Sequence, residues 1–180
     1  MTLSRRRFLE GGGGVFAALA LPSVVPRQSD VAEPAVIQMV GPPDGSDVWF
    51  DPIGLWVRTG RAVRWVNRDA GNSHTATAYH PAVFGRSRRI PAHARPWNSD
   101  YLLPNGSFEV TFTEPGVYDY YCLPHEHAGM VGRIVVGDPN AKDWWQTPQL
   151  KVDSKLPAAA LTAFPSIAEI IKRGYIHRAQ

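Results

Sequence analysis

Ser107-Phe108-Glu109-Val110-Thr111-Phe112-Thr113 alternates apolar and polar side chains with the period of two that a half-buried β-strand requires. Phe108, Val110 and Phe112 fall on one face, Glu109 and Thr111 on the other. Turn-forming sequences bracket the run, Pro104-Asn105-Gly106 before it and Glu114-Pro115-Gly116 after it. Further out, Arg61-Ala62-Val63-Arg64-Trp65-Val66 and Gly132-Arg133-Ile134-Val135-Val136 repeat the pattern less cleanly, and Gly41-Pro42-Pro43-Asp44-Gly45 supplies another turn. Short strands punctuated in this way predict an all-β domain, an antiparallel-rich sandwich or barrel of about 100 residues.

Composition agrees with that class. The 180 residues are 44% hydrophobic and 19% charged, which excludes a disordered chain, and 16 glycines with 16 prolines favour turns over a helical bundle. Two stretches break the strand rhythm. Residues 79–101 carry Arg86, Arg88, Arg89, His93 and Arg95 among prolines and a tryptophan, and read as a long loop inserted over one end of the sandwich. After Gly137 periodicity lapses until Ser166-Ile167-Ala168-Glu169, which has the spacing of a capping box. Ile167, Ile170 and Ile171 share a helical stripe that Gly174 can stop, so one short helix is expected in a C-terminal extension.

Near the start, Ser4-Arg5-Arg6-Arg7-Phe8-Leu9 leads through a glycine run into a mildly apolar stretch ending near Val25. A basic patch followed by a short apolar run is the pattern of an export signal, and the paired arginine resembles the twin-arginine type, which exports folded proteins across a prokaryotic cytoplasmic membrane. The apolar run contains Pro22 and falls short of the roughly 20 residues of a spanning helix. Membrane attachment is therefore expected only if the signal is retained uncleaved. Setting residues 1–20 aside leaves 16 basic and 15 acidic residues, so the net charge of +3 falls to +1 and gives no ground for a nucleic-acid partner.

The chemistry is concentrated in Tyr120-Tyr121-Cys122-Leu123-Pro124-His125-Glu126-His127-Ala128-Gly129-Met130. Cys122 is the only cysteine, which excludes an intramolecular disulfide and every four-cysteine zinc or iron–sulfur site. It stands in the spacing C-x2-H-x4-M with His125 and Met130, and His74 lies 48 residues upstream at the end of an expected strand. One thiolate, two imidazoles and a thioether form the donor set of a blue-copper site, in which the methionine is a weak axial ligand. Zinc accepts cysteine and histidine as well, but gains little from methionine.

These residues resemble the plastocyanin and pseudoazurin branch of the cupredoxins, which share C-x2-H-x4-M followed by a valine-rich last strand. The resemblance runs over roughly 35–138 and includes Asn72-Ser73-His74. It implies a Greek-key β-sandwich, one Cu(I)/Cu(II) ion per chain, and His74, Cys122, His125 and Met130 as its ligands. Thr75 stands where plastocyanins have asparagine, which leaves open what ties the two ligand loops together. The expected organisation is a signal at 1–26, a linker at 27–34, a cupredoxin domain at 35–138 and an extension at 139–180.

The resemblance implies an electron carrier that meets redox partner proteins; the export signal places it in the periplasm or its equivalent in a prokaryote, and the absence of a carboxylate pair, serine triad or phosphate-cradling loop predicts that it is not an enzyme. The alternative is a copper storage or delivery protein, or a non-catalytic copper subunit of a larger oxidase or reductase. If Cys122 points inward, the period of two puts Tyr118 and Tyr120 on the inner face and turns Asp119 and Tyr121 outward. Tyr121 is then a candidate electron path to the surface. The edge of His125 is the other candidate port, and Arg86, Arg88, Arg89 and Arg95 are candidates for steering an acidic partner.

Overall fold

The computed structural model describes residues 33–42, 44, 47–142, 144 and 155–178, and the export signal expected at 1–26 lies outside them. The alternating runs build two sheets. One contains β1 (Ala35–Val40), β2 (Trp49–Asp51), β4 (Arg61–Asn67) and β6 (Ser107–Phe112); the other contains β3 (Gly54–Val57), β5 (Thr77–Ala78), β7 (Gly116–Tyr121), β8 (Val131–Val136) and β9 (Tyr175–Ile176). Strand order is β2-β1-β4-β6 in the first and β5-β7-β8-β3-β9 in the second. β1 pairs with β4 and β3 with β8 in parallel, while the other pairings between these strands are antiparallel. The expected all-β sandwich is therefore present, with crossovers that join non-consecutive strands.

The alternating run from Ser107 becomes β6. Phe108 and Val110 pack against the core and Phe112 is buried in it, while Glu109 faces solvent and accepts a hydrogen bond from Arg64 Nε across the β4–β6 pair at 2.9 Å. Between the sheets Trp65 from β4 meets Tyr120 from β7 nearly edge-on, with ring centroids 5.3 Å apart, and this aromatic group fixes how the two layers interlock. Gly132 of β8 lies opposite Tyr120 in the ladder, and a β-carbon there would lie 2.3 Å from the tyrosine hydroxyl oxygen. Glycine is needed at that position to give the ring room.

The segment 79–101 does not simply cap one end of the sandwich. Ile90, Ala94 and Trp97 enter the main core, and the Trp97 ring lies 5.4 Å from Phe112 and 5.8 Å from Trp65. Its later part runs beside β5, where Ala78 N–H donates to the Trp97 carbonyl and Ser99 N–H to the Ala76 carbonyl. Large apolar side chains on an irregular backbone are stabilised when the core takes them in, and each such ring buried contributes about 1.5–3 kcal/mol.

The C-terminal extension also packs on the sandwich. The expected helix is α2 (Ile167–Arg173): Ser166 accepts the Glu169 N–H through its side chain, and Gly174 ends the helix at a φ of 81°. Before it stands another short helix, α1 (Ala158–Ala163), which has no apolar stripe to announce it. After it, β9 joins the sheet edge at β3, so the extension is tied by backbone pairing as well as by side chains.

Candidate metal centre

β4 ends at Asn67 and β7 at Tyr121, and the two loops that follow meet at the same end of the sandwich. The first loop is knitted by Asn67, whose Nδ2 donates to the carbonyls of Asn72 and Leu102 at 2.8 and 2.9 Å while its Oδ1 accepts the Asp69 N–H at 2.9 Å. His74 closes this loop by pairing in both directions with the Leu102 backbone. The second loop begins at Cys122, whose N–H donates to the Met130 carbonyl, and turns tightly through His125, which accepts the Met130 N–H. A short 3-10 turn at Glu126–Ala128 ends at Gly129, whose φ of 83° is in the left-handed region. A β-carbon at Gly129 would also press on the Ala159 carbonyl, so glycine here serves both the turn and the approach of α1.

These loops bring three of the four expected ligands into one triangle. His74 Nδ1 lies 3.2 Å from His125 Nδ1, and Cys122 Sγ lies 3.6 Å and 3.5 Å from them. The point equidistant from those three atoms lies about 2.0 Å from each, the length of a metal–imidazole bond. The donor set and the spacing both fit a copper ion. Met130 is fully buried in the same core cluster as Cys122. His74 and Cys122 are buried, and His125 is half-buried. Burial pushes the Cys122 thiol up to about 11, partly offset by the Thr75 and His125 N–H groups that point toward its sulfur. Burial and the neighbouring His74 ring hold His125 below the ordinary histidine value, which keeps its nitrogen lone pair free at neutral pH.

Thr75 supplies the tie between the loops. Its N–H donates to Cys122 Sγ at 3.3 Å and its Oγ1 accepts the Leu123 N–H at 2.8 Å, so both backbone and side chain cross from one ligand loop to the other. Thr77 Oγ1 donates to Asn98 Oδ1, which directs the Thr75 hydroxyl proton to Thr77 at 2.8 Å and leaves the Thr75 lone pairs for Leu123. Replacing Thr75 with valine keeps the shape and removes the acceptor. The expected result is a loss of about 1–3 kcal/mol, read from the urea midpoint, because the Leu123 N–H loses its partner.

The residue matches extend to known families. A family model described as copper binding proteins of the plastocyanin/azurin family matches residues 38–137. The chain belongs to this family. Plastocyanin from Physcomitrium patens is 36% identical over 106 residues, covering 58% of this chain and 59% of its own length. Plastocyanin from Synechococcus sp. (strain JA-2-3B'a(2-13)) is 32% identical over 133 residues, covering 69% of this chain and 84% of its own. Pseudoazurin from Sinorhizobium meliloti superposes with a TM-score of 0.54 at 26% identity, over 79% of this chain and 99% of that one. The chain spans about three fifths of the Physcomitrium patens protein. As a member of the plastocyanin/azurin family it binds copper, and the donor triangle is where its residues fit the ion.

The other candidate residues of this cupredoxin separate into groups that the sequence treated alike. Tyr121 does face the outer side of the sheet, but it does not reach the surface: it is 0% exposed, covered by Leu156, Ala160 and Tyr79, with the Tyr79 ring 4.4 Å away. The reason is the extension, whose α1 lies on that face. Arg86 and Arg89 are likewise not free steering charges. Arg86 reaches Glu126 at 2.6 Å, and Arg89 is 2% exposed with its guanidinium on Asp119 at 2.7 Å. Arg88 donates to the Ala92 carbonyl at an exposed position, and Arg95 faces solvent. Among the described residues, His80 accepts the Ala82 N–H, and His93 and His127 face solvent.

Three residues at or near the site were missed by sequence reasoning. Asp69 hydrogen-bonds His74, Glu126 within the second ligand loop accepts the Tyr79 hydroxyl at 2.8 Å, and Asp119 joins Arg89 to Arg133. The available signal was faint, an Asn-x-Asp pair at the end of β4 that suggests a side-chain-bonded turn.

Proposed function

We propose that this protein is an electron carrier that works outside the cytoplasmic membrane, in which His74, Cys122, His125 and Met130 would hold the copper. The observation that carries this reading is the buried triangle of two imidazole nitrogens and one thiol sulfur, with only His125 partly open to solvent. Bound there, copper supplies a one-electron Cu(I)/Cu(II) couple. The chain's own part is to hold unlike donors in a fixed frame: the sheet ends and the Thr75 tie resist rearrangement, which keeps the cost of changing oxidation state small. The ring edge of His125 is the short way out, because the path through Tyr121 ends under α1. Pro124 and Ala128 are exposed next to it, a weakly polar rim that suits brief encounters with a redox partner. Arg88 and Arg95 are the two loop arginines left to attract an acidic partner.

Export rests on the paired-arginine segment at the start of the chain. Copper-loaded protein is expected to show intense visible absorption and a reversible one-electron wave in voltammetry. A colourless, readily exchanged Cu(I) form would overturn the carrier reading in favour of metal delivery.

A further inference from the structure

We propose that Asp69 is the positioning residue of this copper site, fixing His74 through its outer nitrogen and biasing the bound ion toward the oxidised state. The inference rests on the copper-carrier reading above and goes beyond it by assigning a role outside the ligand set. An imidazole has two nitrogens, and in His74 they face different groups: Nδ1 faces Cys122 and His125, while Nε2 lies 3.0 Å from Asp69 Oδ2. A carboxylate accepts only from an N–H. The proton therefore sits on Nε2, and the Nδ1 lone pair is turned toward the donor triangle.

The carboxylate is itself built in. Its Oδ1 accepts the N–H groups of Gly71 and Asn72 at 2.8 and 3.2 Å, and its Oδ2 accepts Asn72 Nδ2 at 2.9 Å besides His74. Both side chains of the pair are buried, His74 at 0% and Asp69 at 1% exposure. Gly41 makes the position possible, since a β-carbon there would lie 2.6 Å from Asp69 Oδ2. All four groups that reach its two oxygens, the Gly71 and Asn72 backbone N–H, the Asn72 side-chain amide and His74 Nε2–H, are donors, the arrangement an ionised, acceptor-only carboxylate requires, so the group is a fixed negative charge.

A fixed anion on the far side of a ligating imidazole strengthens that ligand's donation and, in a poorly screened interior, favours the more positive metal state. Among the described residues no carboxylate hydrogen-bonds His125, so the two imidazoles are inequivalent. His74 is the anchored one, and half-buried His125 is the one that meets solvent.

The test is Asp69→Asn, which keeps the size, offers a carbonyl to Nε2–H and removes the charge. At a fixed ambient potential the Cu(I)/Cu(II) ratio is expected to rise about tenfold, a midpoint shift of about 59 mV upward for one electron. Voltammetry reads the shift, and the visible spectrum and urea midpoint report whether the site and fold are intact. An unmoved midpoint with a normal spectrum overturns the role of Asp69 while leaving the carrier reading in place. A wild-type protein with no visible thiolate band defeats both. Should the variant not take up copper, nitrogen-15 NMR of the copper-free wild type decides: His74 is expected as the single Nε2–H tautomer, and the Nδ1–H form would overturn the inference.

Discussion

Cys122→Ser is expected to abolish both the intense visible absorption and the reversible one-electron wave proposed for the copper-loaded protein. The sulfur is the shared vertex of the donor triangle, 3.5 and 3.6 Å from the two imidazole nitrogens. A serine hydroxyl is a hard oxygen that keeps its proton at neutral pH, and it has no low-energy electron pair to give a visible charge-transfer band. The fold is expected to survive. Serine Oγ can still accept the Thr75 N–H that now points at sulfur, and the burial of one hydroxyl in a 0% exposed position costs about 1–3 kcal/mol. Visible spectroscopy and a urea titration on the same sample separate the two effects. Persistence of the colour would sink the assignment of Cys122, and with it the donor set as drawn.

The second large effect lies away from the copper. Asp119→Asn is expected to lower stability by about 3–5 kcal/mol, a large share of the 5–15 kcal/mol typical of a domain. One carboxylate serves two arginines: Asp119 Oδ1 accepts Arg133 Nε at 2.7 Å, and Oδ2 accepts Arg133 Nη2 at 3.0 Å and Arg89 Nε at 2.9 Å. The side chains of Arg89, Arg133 and Asp119 are 2%, 5% and 0% exposed, so water cannot replace the lost charge. The asparagine amide would bring its own N–H groups against guanidinium donors. Both guanidiniums also lie 5.0 Å over the Phe164 ring, and Arg133 Nη1 donates to the Pro165 carbonyl at 2.6 Å. The network thus joins β7, β8, the 79–101 segment and the C-terminal extension, and its loss should loosen the cover over Tyr121 as well. A shift of the urea midpoint worth less than about 1 kcal/mol would mean that the arginines reach water.

How much of this was legible in advance depends on how far apart in the chain the cause lies. β6 was readable because alternation is a local property, and so was α2, whose cap is complete between Ser166 and Gly174. Cys122, His125 and Met130 were readable together because one tight loop carries all of them. α1 was not readable, since a six-residue helix of mostly alanine has no stripe. The neighbours of Trp97 read as a loop and its backbone is irregular, yet its ring is core.

The charged residues show the limit most clearly. Arg86, Arg88, Arg89 and Arg95 look alike in sequence, but two are held by internal carboxylates and two face outward, because only the folded chain brings Glu126 and Asp119 next to the first pair. Tyr121 carries the same lesson: a period of two assigns its face, but its cover comes from distant parts of the chain, Tyr79 in the 79–101 segment and Leu156 and Ala160 in the extension.

Fold class, the copper-binding donor types and the spacing that keeps three of them on one loop are local properties, because periodicity and spacing act over a few residues. That Asp69 backs His74, that Thr75 ties the ligand loops and that the tyrosine face is closed follow only from the folded arrangement, because those contacts form between segments whose approach is set by the packing of the two sheets and the extension.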